Sequence, residues 1–180
     1  MNNPLIKKVN TMTDFDFGEG PVPAHQHPNG LGWVADTATV DASAYVGPDA
    51  QVYDYAWVRD NALVCDNALV RDNAQVSGNA QVCGDAWVSD NAQVSDNAWV
   101  SGNAQVSDNA WVSDNALVCD NALVCGDALV CDNARVRDNA RVSDNAQVYD
   151  YALVCGDARV SDNARVSGDV WRYDKLRLEE

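Results

Sequence analysis

The 180-residue chain is poor in positive charge, with 12 Lys and Arg against 27 Asp and Glu and a formal net charge of −15. Binding a polyanion by counterion release needs cations against the phosphates, so direct nucleic-acid binding is disfavoured. Long apolar runs are missing too. The longest, Tyr151 to Cys155, is five residues, whereas a membrane-spanning helix needs roughly 18 or more. No membrane helix is expected. The opening stretch, MNNPLIKKVNTMTDFDFGEG, has two lysines but no apolar core of signal-peptide length. Secretion by that route is not expected either, and a cytoplasmic location is. Histidine is confined to His25 and His27, and no CxxC occurs. The length fits one domain.

What is present is a repeat. Ala (25), Val (26), Asp (24) and Asn (18) supply 93 of the 180 residues. From Gly32 onward the unit Ala, x, Val, x, Asp/Gly, Asn/Asp recurs every six residues. The Ala position is Ala at all 22 places from Ala38 to Ala164, and the Val position is Val at all 23 from Val34 to Val166. No residue is inserted or deleted. Ala and Val, two apart, point to one side of an extended strand and the x between them to the other. The two residues that follow are turn-formers tolerant of positive φ. Each hexad is therefore a short strand and a bend, and stacked coils of such units share a core that no single unit can build. The pattern predicts an all-β, single-domain solenoid over residues 32–169. Residues 1–31, with Phe15, Phe17 and three prolines between 21 and 28, read as an N-terminal cap. Residues 170–180, with Trp171, Tyr173, Leu176 and Leu178, read as a C-terminal one.

The segments Val64-Cys-Asp-Asn-Ala68-Leu and Val94-Ser-Asp-Asn-Ala98-Trp, within residues 32 to about 170, resemble the hexapeptide-repeat proteins. That resemblance implies a left-handed parallel β-helix of triangular section, with three hexads per coil and here about seven to eight coils. The Asn-Ala-x-Val-x-Asp/Gly variety looks like bacterial and phage members without an assigned activity, which would make the host cytoplasm the location if the chain is phage-encoded. Many members of the superfamily are acyltransferases with a histidine base and a loop expelled from the coils, and some are zinc carbonic anhydrases. Residues 32–180 contain no histidine and the repeat admits no loop, so neither pattern transfers.

His25 and His27 remain the only metal or catalytic candidates. On an extended segment alternate residues face the same way, so the two imidazoles could share a metal. No Asp, Glu or Cys at ligand spacing joins them, so a Pro-rich capping loop with partly exposed histidines is the expectation, with no cofactor. The six cysteines, Cys65, Cys83, Cys119, Cys125, Cys131 and Cys155, all follow the inward Val, a slot that Ser fills nine times. Cys65 and Cys83 stack one coil apart near disulfide range, but with side chains running parallel, so reduced thiols are expected.

An 18-residue coil sorts the outward residues into three faces. The third, Tyr45, Leu63, Gln81, Trp99, Leu117, Arg135, Leu153 and Trp171, is apolar at six of eight places, against four and three for the others. Exposed Trp and Leu in a row mark contact surfaces. Self-association as a trimer or dimer through Leu63, Trp99, Leu117 and Leu153 is expected. No row of Thr supports ice binding, and the glycine-rich nonapeptides of calcium solenoids are absent.

The corners hold the acid, and stacking aligns Asp36, Asp54, Asp72, Asp90 and Asp108 in one column. Neighbours about 4.8 Å apart repel by about 0.9 kcal/mol even at the dielectric of water. Solubility is one reading of this belt. Another is a nucleic-acid-mimicking decoy that presents Asp54, Asp72, Asp90, Asp96, Asp108, Asp114 and Asp120 to a basic partner. The 21 Asp from 36 to 169 give one per about 1.8 Å of rod, against roughly 1.7 Å per charge in duplex DNA. The primary expectation is thus a non-enzymatic rigid binding or structural module. An enzyme using His25 and His27, or a spike or filament piece, is the alternative.

Overall fold

A chain that bends every six residues must place a backbone suited to bending at each corner, and here, from Asp54 to Asp162, one residue per corner takes the left-handed conformation. In the computed structural model, which describes residues 13–168 and the backbone of 172–173 and 177–178, that residue is the first of the corner pair. Asp72 (φ 58°), Asp90 (φ 59°) and Asp120 (φ 61°) adopt it, as do Gly78 (φ 71°) and Gly126 (φ 72°). A Cβ makes this region unfavourable by roughly 1–2 kcal/mol, which Gly escapes and which Asp offsets through local hydrogen bonds. Asp-Asn, Gly-Asp and Gly-Asn corners are thus one solution in three spellings.

Between corners lie two-residue strands, such as Leu63–Val64, Leu69–Val70 and Gln75–Val76. Each pairs in parallel with the strand 18 residues on, as Gln75 with Gln93 and Val76 with Val94. Three hexads make one coil. The strands form three sheets of eleven, eight and eight members, wound into a β-solenoid of about seven turns. No helix occurs among the described residues. From Ala44 to Val160 every inward Ala and Val is at most 1% exposed. Burial of each Val side chain stabilises by roughly 1.5 kcal/mol or more.

The N-terminal cap is more ordered than its prolines imply. Strand β1 (Thr13–Asp16) and strand β2 (Pro21–Gln26) form an antiparallel hairpin. β2 then pairs antiparallel with β3 (Trp33–Ala35), the first strand of the solenoid proper. Pro23 accepts the Asp36 N–H through its carbonyl (2.9 Å). Backbone groups alternate sides along a strand, so Pro21 and Pro23 lack their N–H on the β3 side and leave the ladder to β1 intact. The cap thereby covers the edge that β3 would otherwise expose and supplies the first two strands of the eleven-stranded sheet. Gly32 marks the entry, where an added Cβ would lie 2.2 Å from the Gly47 carbonyl oxygen.

The C-terminal expectation changes in register. Arg172–Tyr173 extends the third sheet with Arg172 opposite Leu153, one residue later than strict repetition places it. The eight-member third face ending in Trp171 is corrected accordingly, because the regular 18-residue step ends before that strand. Arg177–Leu178 joins the first sheet at the regular step, opposite Arg159–Val160. Trp171 and Leu176 lie outside the described residues.

The corner conformation can be separated from the corner hydrogen bond. Asp108 (φ 60°) accepts the Gly126 N–H through Oδ2 at 3.0 Å. Asp108→Ala is expected to destabilise by about 1–2 kcal/mol, and Asp108→Gly by less, because Gly keeps the backbone conformation. Urea unfolding checks the order, and equal losses would assign the whole effect to the carboxylate.

Candidate functional site

The proposed acidic columns are part of the corner machinery. In the first, Asp54, Asp72 and Asp90 each accept, through Oδ2, the N–H of the next aspartate up (3.2, 3.3 and 3.4 Å), and Asp108 continues the ladder to Gly126. Asp114 accepts the Asp132 N–H and Asp120 the Asp138 N–H from two other corners. Asp96 shares the Asp114 column and accepts the Ser95 hydroxyl at 2.8 Å. The seven carboxylates therefore run along three corners, not one face. The second corner residue builds its own ladder, from Asn103 to Asn121 to Asn139 to Asp157 at 3.0–3.2 Å.

At several corners the residue before the Asp also has a task. Ser89, Ser113 and Ser143 donate their hydroxyls to the adjacent carboxylate at 2.9–3.0 Å. Cys119 and Cys131 do so with their thiols, at 3.3 and 3.5 Å. At these two corners Cys can stand in for Ser, whereas Cys83, Cys125 and Cys155 precede Gly. Burial pushes the Cys119 thiol up to about 11, with Asp120 adding to it, and the Cys131 thiol up to about 12, with Asp132 adding to it. Such thiols are poor nucleophiles at neutral pH.

Cys65 and Cys83 depart from the expectation of six reduced thiols, because they form a disulfide. Stacking one coil apart sets their Cα atoms 4.7 Å apart, within disulfide range, and the parallel side chains do not prevent closure. A carboxylate oxygen of Asp66 lies within 4.8 Å of both sulfurs, but bridged sulfurs are not the thiolates that ligate metal.

The two histidines have different partners and different burial. β2 ends at Gln26, so strand alternation stops before His27. His25 is exposed and its Nδ1 lies 2.8 Å from Asp36 Oδ1. His27 is buried, with Nδ1 3.1 Å from the Asn29 carbonyl, and serves the turn that docks on the first coil.

Leu63, Trp99, Leu117 and Leu153 do share one sheet, in the register Leu63, Gln81, Trp99, Leu117, Arg135, Leu153. Trp99 is 48% exposed and the three leucines are half-buried. The other faces carry exposed indoles as well, Trp87 on the first and Trp57 and Trp111 on the second. The number of apolar places, five of the seven from Tyr45 to Leu153, and not exposure, distinguishes the third face, with Gln81 and Arg135 interrupting it.

One concave feature escaped the sequence reading. The β1–β2 hairpin leans over the first corner, stacking Phe15 on Trp33 (4.4 Å between ring centroids) and Phe17 on Tyr53 (4.9 Å). Asp16 Oδ1 closes the turn by accepting the N–H groups of Gly18 and Gly20. A cleft of about 440 Å³ remains beneath, roofed by Phe17, Glu19, Val22 and Pro23 and floored by Asp36, Tyr53, Asp54 and Tyr55. Burial raises the affinity of the Tyr53 hydroxyl for its proton; Arg71 opposes this, and Asp54, Asp72 and Glu19 reinforce it. The available signal was Tyr53-Asp54-Tyr55, which puts rings where most corners hold Ser or Cys and Asn.

A family model described as YdcK Beta solenoid repeat matches residues 92–107, 104–120 and 158–174. No curated protein and no solved structure matches the chain. The match and the coils together support a β-solenoid repeat protein.

One disulfide and four free cysteines lead to a direct expectation. Unreduced, denatured protein should titrate as four thiols and reduced protein as six, with Cys65 and Cys83 linked in the peptide map. In the folded protein at pH 8, Cys119 should alkylate about a hundredfold more slowly than an unperturbed thiol, following its two-unit displacement. Six thiols before reduction would remove the disulfide.

Proposed function

We propose that the chain is a non-enzymatic rod of the hexapeptide-repeat kind that works by rigid surface contact and self-associates through its third sheet. The observation that carries this reading is the single register column holding Leu63, Trp99, Leu117 and Leu153. Corner Asp and Asn and inward Ala and Val are required by the coil itself. Outward Trp and Leu are not, since Gln and Arg occupy equivalent strand positions at Gln81 and Arg135. A flat sheet with an apolar column buries that column most simply against a second copy, giving a trimer or dimer.

The acidic columns favour a second reading, a decoy for a basic, nucleic-acid-binding partner. Asp54, Asp72, Asp90 and Asp108 commit Oδ2 to the ladder, and no hydrogen bond or ion pair engages their Oδ1 among the described residues. A row of carboxylate oxygens at coil spacing is what a surface evolved for phosphates would meet.

Replacing Trp99 and Leu117 with Glu should lower the solution mass measured by light scattering to that of one 19.4 kDa chain while leaving the β-sheet circular dichroism intact. An unchanged mass would sink the self-association reading. For the decoy, a purified basic DNA-binding domain should bind the rod, lose it as salt rises, and be displaced by duplex DNA. Binding that salt and DNA leave untouched would end that reading.

A further inference from the structure

The cleft beneath the hairpin combines three carboxylates with aromatic walls. Glu19, Asp36 and Asp54 line it, and no Lys or Arg does. His25 meets Asp36 at 2.8 Å, while Glu19 has no ion pair among the described residues. Tyr55 is 65% exposed at a corner position that most other hexads give to Asn or Asp. The coil does not need a ring there. Phe17 stacks on Tyr53 beside it, so the walls are rigid. The volume of about 440 Å³ falls within the range of small-ligand sites, roughly 300–1,000 Å³.

An electron-rich, acidic cleft selects a cation, and its form narrows the choice. A guanidinium is planar, stacks on rings and offers five N–H donors in a fork suited to carboxylates, whereas an ammonium is a compact, strongly hydrated point charge. The molecule uses the same contact on its own surface, where the Arg59 guanidinium lies 3.7 Å from the centroid of the Trp57 ring. We propose that the cleft between the N-terminal hairpin and the Tyr53-Asp54-Tyr55 corner binds a guanidinium group, that of an arginine side chain or of a small guanidino compound. The proposal is independent of association through the third sheet.

The chain carries its own control. Tyr149-Asp150-Tyr151 repeats the same corner near the other end, with Tyr151 58% exposed, and no hairpin covers it among the described residues. The expectation is that N-acetyl-argininamide, titrated into labelled protein and followed by NMR, gives saturable shifts at residues 17–23, 35–37 and 53–55. The lysinamide analogue should bind more weakly. Tyr55→Asn, which restores the usual corner residue and so preserves the coil, should weaken binding about fivefold, and Glu19→Gln should weaken it as well. A blocked Gly-Arg-Gly peptide that binds more tightly than the amide identifies a peptide arginine as the source, and one that binds less tightly identifies a small compound. Shifts spread along all the Asp corners without saturation, equal binding of the lysine analogue, equal shifts at 149–151, or binding unaffected by both substitutions would each overturn the proposal.

Discussion

A left-handed residue at the corner of nearly every hexad is the constraint on which this molecule depends. The bend needs it, and only Gly and, with help, Asp or Asn hold it at low cost. Fourteen of the 24 aspartates sit there with positive φ, so most of the acid follows from the geometry of the turn. Eleven of these carboxylates then receive an N–H from the coil above, which offsets the repulsion that a column of like charges would otherwise impose. The net charge of −15 is in large part the consequence of folding a six-residue repeat with few glycines.

Once the corners are set, the remaining positions divide by how much the coil demands of them. The inward pair admits only small and β-branched residues, because three sheets converge on a narrow core. The second corner residue gains from Asn, whose amide can donate to the coil above while its oxygen accepts from the coil below, as Asn97 does between Asn79 and Asn115. The slot before the corner favours a small donor, Ser or Cys. Only the outward strand position is nearly unconstrained. Trp, Leu, Gln and Arg all occupy it, so any chemical preference found there reflects what the surface meets more than what the fold requires.

This hierarchy explains which features were legible in the sequence. Period, inward lining and corner placement could be read because every hexad repeats the same local conflict and the same solution, whereas the 18-residue register came only with the resemblance to the hexapeptide-repeat proteins. The role of Asp108 as an acceptor could not, because it depends on a backbone N–H one coil away that no local pattern marks. The hairpin was hidden by Pro21 and Pro23, whose missing donors fall on one side of β2 while the ladder to β1 uses the other. Parallel stacking of Cys65 and Cys83 argued against a bridge, yet the Cα separation of 4.7 Å lies within reach of one. His25 and His27 were separated by the end of a strand between them, a boundary that sequence locates poorly.

Strict repetition also limits what such a rod can offer. Sheets that repeat without insertion present flat or convex sides, and a flat side recognises best another flat side, including its own copy. Concavity requires something that breaks the period. At the N-terminus the break is double: an antiparallel hairpin leaves the helical path, and a Tyr-Asp-Tyr corner replaces the small polar one beneath it. Each departure alone leaves a surface open to water, as Tyr149-Asp150-Tyr151 shows with its exposed Tyr151. Superposed, they enclose a cleft with carboxylates on both its roof and its floor. This departure from flatness therefore falls at the end of the rod, where the hairpin lies outside the repeat, while the rod's length holds that end and the flat faces in fixed relation.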